Sequence, residues 1–187
     1  MFSKDFLEKV VVAISKIDMY SVELMVSILE DVRREGRLFV IGSGGGAGHS
    51  SHAVCDFRKL CNFDALSFDN ISELTARVND EGWDTSYLEW MKASRFNGKD
   101  GLLIISVGGG TETVSQNLVK AMRYARSQEA PVLGIVGKDG GLVKKESDAY
   151  ILIQADEFVT PITEGLQSII WHLLVTHPKL AKSKPIW

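Results

Sequence analysis

The chain has 187 residues, of which 45% are hydrophobic, and this length predicts one domain, residues 1–187, with a substantial core. Its formal net charge of −3 excludes the broad basic surface typical of proteins that bind nucleic acid or anionic membranes, so we expect neither as a partner. Only two cysteines are present, and no run of about 20 apolar residues could span a bilayer, so we expect a cytoplasmic protein.

Two helices are predicted ahead of the first strand. Apolar residues recur at steps of three and four over residues 6–17, which is typical of an amphipathic helix. A second helix is predicted from a cap at Ser21 to a stop at Gly36. The pair could cover one face of a sheet or pack against a partner subunit, and the sequence favours neither.

Strand and helix patterns then alternate along the chain. Short apolar runs predict five strands, at 37–41, 65–68, 102–107, 132–136 and 150–153. Helical patterns lie between and after them, from the first glycine-rich loop to about Leu60, within 69–77, and over 87–95, 112–127 and 163–175. Polar residues 79–84 predict a turn-rich insert. The alternation predicts a three-layer α/β sandwich, in which a parallel sheet with right-handed crossovers is flanked by helices.

Glycine-rich loops follow three of the predicted strands, at 42–48, 108–111 and 137–141. Ligands of parallel sheets bind at the carboxyl ends of the strands, so three such loops indicate a polar or phosphate-bearing ligand there. The first loop leads into a helix, whose N-terminus suits an anion. The simpler interpretation of that loop is a tight strand-to-helix connection.

A dinucleotide site is the other interpretation of the first loop, because Gly42-x-Gly44-x-x-Ala47 fits the loose pattern of such loops. Asp69, near the end of the second strand, could then bind the ribose. The histidines would have no role, however, and no second domain is predicted that could hold a substrate. We therefore expect no nucleotide cofactor.

Two polar residues stand out on the helix that follows the first loop. His52 and Asp56 are four residues apart and share one helix face, where a ligand or metal could lie between loop and helix. The alternative for His52 is an ordinary surface histidine.

In their order and spacing, these features resemble the sugar isomerase (SIS) family, and more narrowly its phosphoheptose isomerase branch. The resemblance rests on the first loop and helix, the serine-led second loop, Asn79-Asp80, the third glycine-bearing loop and the polar last helix, and it covers nearly the whole chain. It implies a five-stranded parallel sheet in a flavodoxin-like SIS fold, and a homotetramer with active sites between subunits. It also implies interconversion of sedoheptulose 7-phosphate and a heptose 7-phosphate through an enediol(ate).

The resemblance assigns substrate-binding positions in the loops and the insert. These are Ser43, Gly44, Gly45, Asn79, Asp80, Ser106, Gly108, Gly109, Gly110 and Thr111. The phosphate loop keeps a hydroxyl at each end but replaces the inner serines and threonines of the family with glycines, whose N–H groups could still hold an anion. The catalytic glutamate of the family corresponds to Asp56, which is one methylene shorter.

On the last helix the resemblance places Glu164 at a family glutamine and His172 at a catalytic histidine. A register one residue earlier would put Trp171 at the histidine position and imply lost catalysis. The simpler interpretations are a first-turn acid that favours the helix dipole for Glu164 and a hydrogen-bonded core histidine for His172. We prefer His172 as the acid–base partner of Asp56, the proposed base, because this register matches two polar positions.

His52, Asp56, Glu164 and His172 also form a possible ligand set for a divalent metal, with zinc the expected ion. Residues eight apart on a helix lie about 12 Å apart along its axis. Glu164 and His172 would therefore share an ion only if Glu164 precedes regular helix or a neighbouring subunit supplies one of them.

A SIS module without catalysis, which binds a sugar phosphate or a protein partner, is the main alternative function. The shortened Asp56 and the thinned phosphate loop favour it. The presence of His52, Glu164 and His172 favours the enzyme.

Overall fold

The computed structural model describes residues 1–183. Its sheet consists of five parallel strands, β1 (Leu38–Gly42), β2 (Ala65–Ser67), β3 (Gly101–Ser106), β4 (Val132–Val136) and β5 (Ala149–Leu152). Their spatial order is β2-β1-β3-β4-β5. The order reverses between β1 and β3, so the carboxyl ends of these two strands border the crevice in which open α/β sheets bind ligands.

Eight helices and one 3₁₀ turn are described around the sheet. They are α1 (Phe2–Ser15), α2 (Met19–Glu35), α3 (Gly45–Cys61), α4 (Ile71–Glu81), the 3₁₀ turn (Trp83–Thr85), α5 (Ser86–Ala93), α6 (Gln116–Ser127), α7 (Gly141–Glu146) and α8 (Val159–Thr176).

The core lies on both faces of the sheet because side chains alternate along each strand. In β3, Leu103 and Ile105 pack with α2, α3 and α8, whereas Leu102 and Ile104 pack with α5 and α6 on the opposite face. Strands buried on both faces are apolar throughout, which explains the continuous apolar runs in the sequence. The predicted three-layer sandwich with a five-stranded parallel sheet is confirmed.

The two leading helices differ in how they pack. One face of α2 is fully buried against the sheet, with Met25, Val26 and Leu29 inaccessible to solvent. In contrast, α1 buries only Ala13 and leaves Leu7 and Val11 more than half exposed. Within residues 1–183, no helix combines the length and the hydropathy that crossing a bilayer requires.

Several boundaries differ from the sequence prediction. The insert predicted at 79–84 begins inside α4, because Asn70 caps this helix and Arg77 pairs with Glu73 and Glu81 one turn away on either side. Helix α6 begins four residues later than predicted, after Ser115 adopts a left-handed backbone with φ of 55°. The short helix α7 was not predicted at all.

Candidate active site

Three polar side chains meet where α3 packs against α8. His52 and Asp56 come from α3, and His172 comes from α8. An Asp56 carboxylate oxygen (Oδ2) lies 3.9 Å from Nε2 of His52 and 3.7 Å from Nε2 of His172. The structure thus confirms that His52 and Asp56 share a helix face and adds His172 from a distant part of the chain.

The cluster is covered on one side and open on the other. The Asp56 side chain is only 13% exposed, whereas those of His52 and His172 are 60% and 43% exposed. Its carboxylate therefore forms the floor of a site whose two imidazoles border solvent. A ligand can approach from the imidazole side.

A backbone acceptor sets the orientation of the His172 ring. Its Nδ1 lies 2.7 Å from the carbonyl oxygen of Ser168, one turn earlier in α8. In the neutral ring Nδ1–H donates to this carbonyl, so the lone pair belongs to Nε2, the nitrogen that faces Asp56. His172 therefore points a basic nitrogen into the cluster, whereas its neighbour Trp171 is fully buried.

The cluster fits a divalent metal ion. One nitrogen from each histidine and one Asp56 oxygen all lie within 4.8 Å of one another, and these are ligand atoms that zinc and related ions accept. Four ligands in a zinc tetrahedron lie about 3.3 Å from one another. The spacings from Asp56 to the two histidines are 3.9 and 3.7 Å, so a small side-chain adjustment would allow all three to bind one ion.

Glu164 lies apart from this cluster, near the start of α8. Its carboxylate packs so closely on Gly45 that a Cβ at Gly45 would lie 2.6 Å from the Glu164 carboxyl carbon. It therefore sits beside the first turn of α3, where the helix dipole favours a negative charge. The assignment of Glu164 as a fourth metal ligand stays a prediction.

The first glycine-rich loop is shorter than the sequence suggested. Only Ser43 and Gly44 connect β1 to α3, and Gly44 has a left-handed φ of 58°. Gly45 already belongs to α3, whose next N–H, that of Gly46, donates to the Ser43 carbonyl at 3.0 Å. The predicted ligand residues here consequently surround a helix N-terminus.

The second loop is tied to the third. The N–H groups of Leu142 and Val143 donate to the carbonyls of Gly110 and Gly109 at 2.9 and 3.0 Å. Gly109 lies against the carbonyl of Gly140 so closely that no Cβ would fit. The third loop thus supports the second, which is a role that the sequence analysis did not assign to it.

Donors remain available in the second loop. Ser106 Oγ accepts the N–H of Gly109 at 3.1 Å, and Thr111 Oγ1 accepts two N–H groups that follow it. Both hydroxyls thus act as acceptors and keep a hydrogen to donate. Among residues 1–183, the N–H groups of Gly108 and Gly110 form no hydrogen bond to a backbone or side-chain acceptor.

Asn79 and Asp80 lie in the last helical turn of α4, and not in the turn-rich insert that the sequence predicted. Both are exposed, and Nδ2 of Asn79 donates to a carboxylate oxygen of Asp80 at 2.7 Å. Neither belongs to the His–Asp–His cluster. Their assignment to sugar hydroxyls stays a prediction.

Sequence analysis did not identify how Tyr87 supports the site. Its hydroxyl donates to the carbonyl of Gly42, the last residue of β1, where the first loop begins. Burial raises the pKa of the Tyr87 phenol and so keeps this donor protonated. The contact joins α5 to β1, and no local pattern in the sequence predicts it.

The sequence is similar to those of known phosphoheptose isomerases. No family model matches the chain. The phosphoheptose isomerase of Helicobacter pylori is 29% identical over 178 residues, which cover 91% of this chain and 87% of that protein. The phosphoheptose isomerase of a Geobacter species is 31% identical over 159 residues, which cover 80% and 79%.

A solved structure shares the fold. That of phosphoheptose isomerase from Neisseria gonorrhoeae superposes with a TM-score of 0.79 over 93% of this chain and 94% of that chain, at 21% identity. This likeness supports the arrangement of sheet and helices. The 31% sequence identity to the Geobacter protein, over most of both chains, establishes the family. The chain belongs to the phosphoheptose isomerase family.

Proposed function

We propose that the protein is an isomerase that converts sedoheptulose 7-phosphate into a heptose 7-phosphate through an enediolate. The observation that carries this proposal is the cluster of His52, Asp56 and His172, which places a carboxylate between two imidazoles in a site open to solvent. Membership of the phosphoheptose isomerase family supports the choice of substrate.

The reaction needs one group that moves a carbon-bound proton and one that moves a hydroxyl proton. Asp56 takes a proton from C1, and the electron pair of that bond forms the C1–C2 double bond as the C2 carbonyl becomes an enediolate oxygen. His172 relays the hydroxyl proton from O1 to O2 through Nε2. When the carbonyl re-forms at C1, C2 takes the proton back from Asp56, so all atoms and charges balance.

The phosphate would bind at the glycine-rich loops. The N–H groups of Gly108 and Gly110 and the hydroxyls of Ser106 and Thr111 are the available donors in the second loop. The first turn of α3, with its neighbours Ser43, Gly44 and Gly45, would bind oxygens of the sugar. Asn79 and Asp80 are assigned to the sugar hydroxyls.

Zinc is the expected metal, which His52, Asp56 and His172 would hold together with Glu164 of a neighbouring subunit as a fourth ligand. Glu164 of the same chain lies within regular helix α8, too far along the axis from His172 to share the ion. Such an ion would polarise the substrate carbonyl when bound. Because Nδ1 of His172 contacts the Ser168 carbonyl, Nε2 carries the one free lone pair of the ring. Metal binding and the proton relay are therefore alternative roles for Nε2, and the chelator experiment below distinguishes them.

We also assign the protein to the cytoplasm. As its assembly we propose a homotetramer with active sites between subunits. Support comes from α1, which leaves Leu7 and Val11 exposed at 61% and 65%. A second copy that packs on this face would bury both side chains.

The test measures turnover of sedoheptulose 7-phosphate by purified protein and by Asp56→Asn and His172→Ala. Each substitution removes a proton-transfer group, so we expect kcat to fall at least about 100-fold. His177→Ala is the matched control, because His177 lies at the end of the same helix and contacts Glu23 instead of the cluster. Its kcat is expected to match that of the unmodified protein.

A folded protein that binds the sugar phosphate without turning it over would contradict the isomerase and favour the SIS module without catalysis. A second measurement removes metal with a chelator. Loss of turnover that zinc restores would support the metal assignment.

A further inference from the structure

We propose that Trp171 is a positioning residue that fixes the imidazoles of His52 and His172 around Asp56, and so sets the affinity of the cluster for a divalent metal. This inference rests on the metal-binding part of the proposed function. It concerns a side chain that touches neither substrate nor metal in that proposal.

The indole of Trp171 contacts both histidines of the cluster. Its ring lies edge-on to the His52 ring, with centroids 4.7 Å apart and planes inclined by 63°. It stacks on the His172 ring, with centroids 3.5 Å apart and planes inclined by 28°. One rigid side chain therefore bridges the two imidazoles, whose own centroids are 5.6 Å apart.

Packing alone holds the indole in place. Trp171 is fully buried, and it lies in the core with Ile170, Leu174 and Val175 of the same helix. Its Nε1–H is buried without a hydrogen-bond partner among the described residues. Leaving such a donor unpaired is unfavourable, so hydrogen bonding does not explain why a tryptophan occupies this position. The large ring does explain it, because it contacts both histidines.

The two histidines depend on this contact to different degrees. The ring of His172 is also fixed by the carbonyl of Ser168 at 2.7 Å. His52 has no hydrogen-bond partner among residues 1–183, and its side chain is 60% exposed. Without the indole edge, His52 would be free to adopt other rotamers, and a metal would have to restrict it again on binding.

The experiment titrates zinc against a chromophoric chelator with the unmodified protein and with Trp171→Leu and Trp171→Phe. Loss of the ring contact in Trp171→Leu should weaken zinc binding by about 10- to 100-fold, as loss of groups that orient metal ligands commonly does. Trp171→Phe keeps an aromatic face and should retain most of the affinity. Trp90→Leu is the matched control, since Trp90 is also buried but packs on Phe39 and Phe68 in the opposite core.

A spectroscopic readout covers the case in which Trp171→Leu fails to fold. His172 stacks on Trp171, so zinc binding to His172 should change the fluorescence of Trp171. The unmodified protein and Trp90→Phe should both show this change. That change should disappear in Trp171→Phe.

Three results would overturn the proposal. They are unchanged zinc affinity in folded Trp171→Leu, an equal loss in Trp90→Leu, and a failure of zinc to bind the unmodified protein. Isomerase turnover is measured separately. Weaker zinc binding in Trp171→Leu together with no turnover in any variant would support the role of Trp171 and refute the isomerase.

Discussion

At the scale of single residues, Gly109 shows how tightly the second loop is built. Its φ of 65° lies in the left-handed region, and a Cβ would collide with the carbonyl of Gly140. Gly108, directly before it, has open space where a Cβ would lie and no positive φ. The two neighbouring glycines therefore differ in what they tolerate, although the sequence presents them as equivalent.

We predict that Gly109→Ala lowers the free energy of unfolding by about 2 kcal/mol or more, because the left-handed backbone and the collision both act against the side chain. Gly108→Ala is the control and should change stability by less than about 1 kcal/mol. Urea denaturation of both variants measures this difference. Equal losses would mean that the loop can move away from Gly140 without cost.

The two cysteines give a second prediction at this scale. Burial raises the pKa of the Cys61 thiol to about 11, and its sulfur lies 3.1 Å from the carbonyl of Val175. Cys55 is exposed on α3, one residue before Asp56. A thiol reagent should therefore label one cysteine rapidly in the native protein and both in denaturant. Cys55→Ser should abolish the rapid phase, and rapid labelling of that variant would show that the core around Cys61 opens.

At the scale of secondary structure elements, α4 is a helix that is stabilised mainly by interactions within the helix itself, with little burial against the rest of the protein. None of its residues is buried. The Asn70 side chain accepts the N–H groups of Ser72 and Glu73 at 3.0 and 3.3 Å, which caps the first turn. With little tertiary packing, α4 should open locally more often than α2, whose inner face is fully buried.

We predict that Asn70→Ala destabilises α4 by about 1 kcal/mol, the usual value of an N-cap. Amide hydrogen exchange in α4 should then accelerate by about fivefold while exchange in α2 stays unchanged. Ser72→Ala serves as the control, because it alters the same turn and keeps the cap. Faster exchange throughout the protein would mean that α4 is part of the global folding unit.

The sequence predicted those parts of the fold that depend on residues close together in the chain, and it missed parts that depend on contacts between distant residues. The strands and the shared face of His52 and Asp56 follow from local periodicity, and both predictions were confirmed. The late start of α6 follows from the left-handed backbone of Ser115 and from the turn in which the Thr111 N–H donates to the Val114 carbonyl. The presence of α7 depends on contacts between the second and third loops, which have no local pattern. For the same reason, sequence could place His172 in a helix but could not reveal the acceptor at Ser168 or the stacking on Trp171.

At the scale of the whole molecule, the order of the strands brings distant segments to one edge of the sheet. The loops after β1 and β3 meet at the point where the strand order reverses, and the loop after β4 supports the second of them. The cluster lies on helices beside this edge, with α3 following directly from the first loop. The cluster thus combines segments that are more than 100 residues apart in the chain, since it contains both His52 and His172.

The exposed face of α1 gives the last prediction, which concerns assembly. Leu7→Glu combined with Val11→Glu places two charges on the proposed subunit contact. Because both side chains are more than 60% exposed in the single chain, the variant should fold normally, with unchanged circular dichroism. Sedimentation equilibrium should show a tetramer for the unmodified protein and a smaller species for the variant. Ile71→Glu is the control, since Ile71 is 67% exposed on α4, away from α1.

Assembly and activity can then be compared in one variant. If the active sites lie between subunits, turnover of sedoheptulose 7-phosphate should fall together with the tetramer fraction as the variant is diluted. Full turnover by the dissociated variant would contradict a shared site and would mean that His52, Asp56 and His172 of one chain suffice. An unchanged tetramer would instead show that the apolar face of α1 is not the subunit contact.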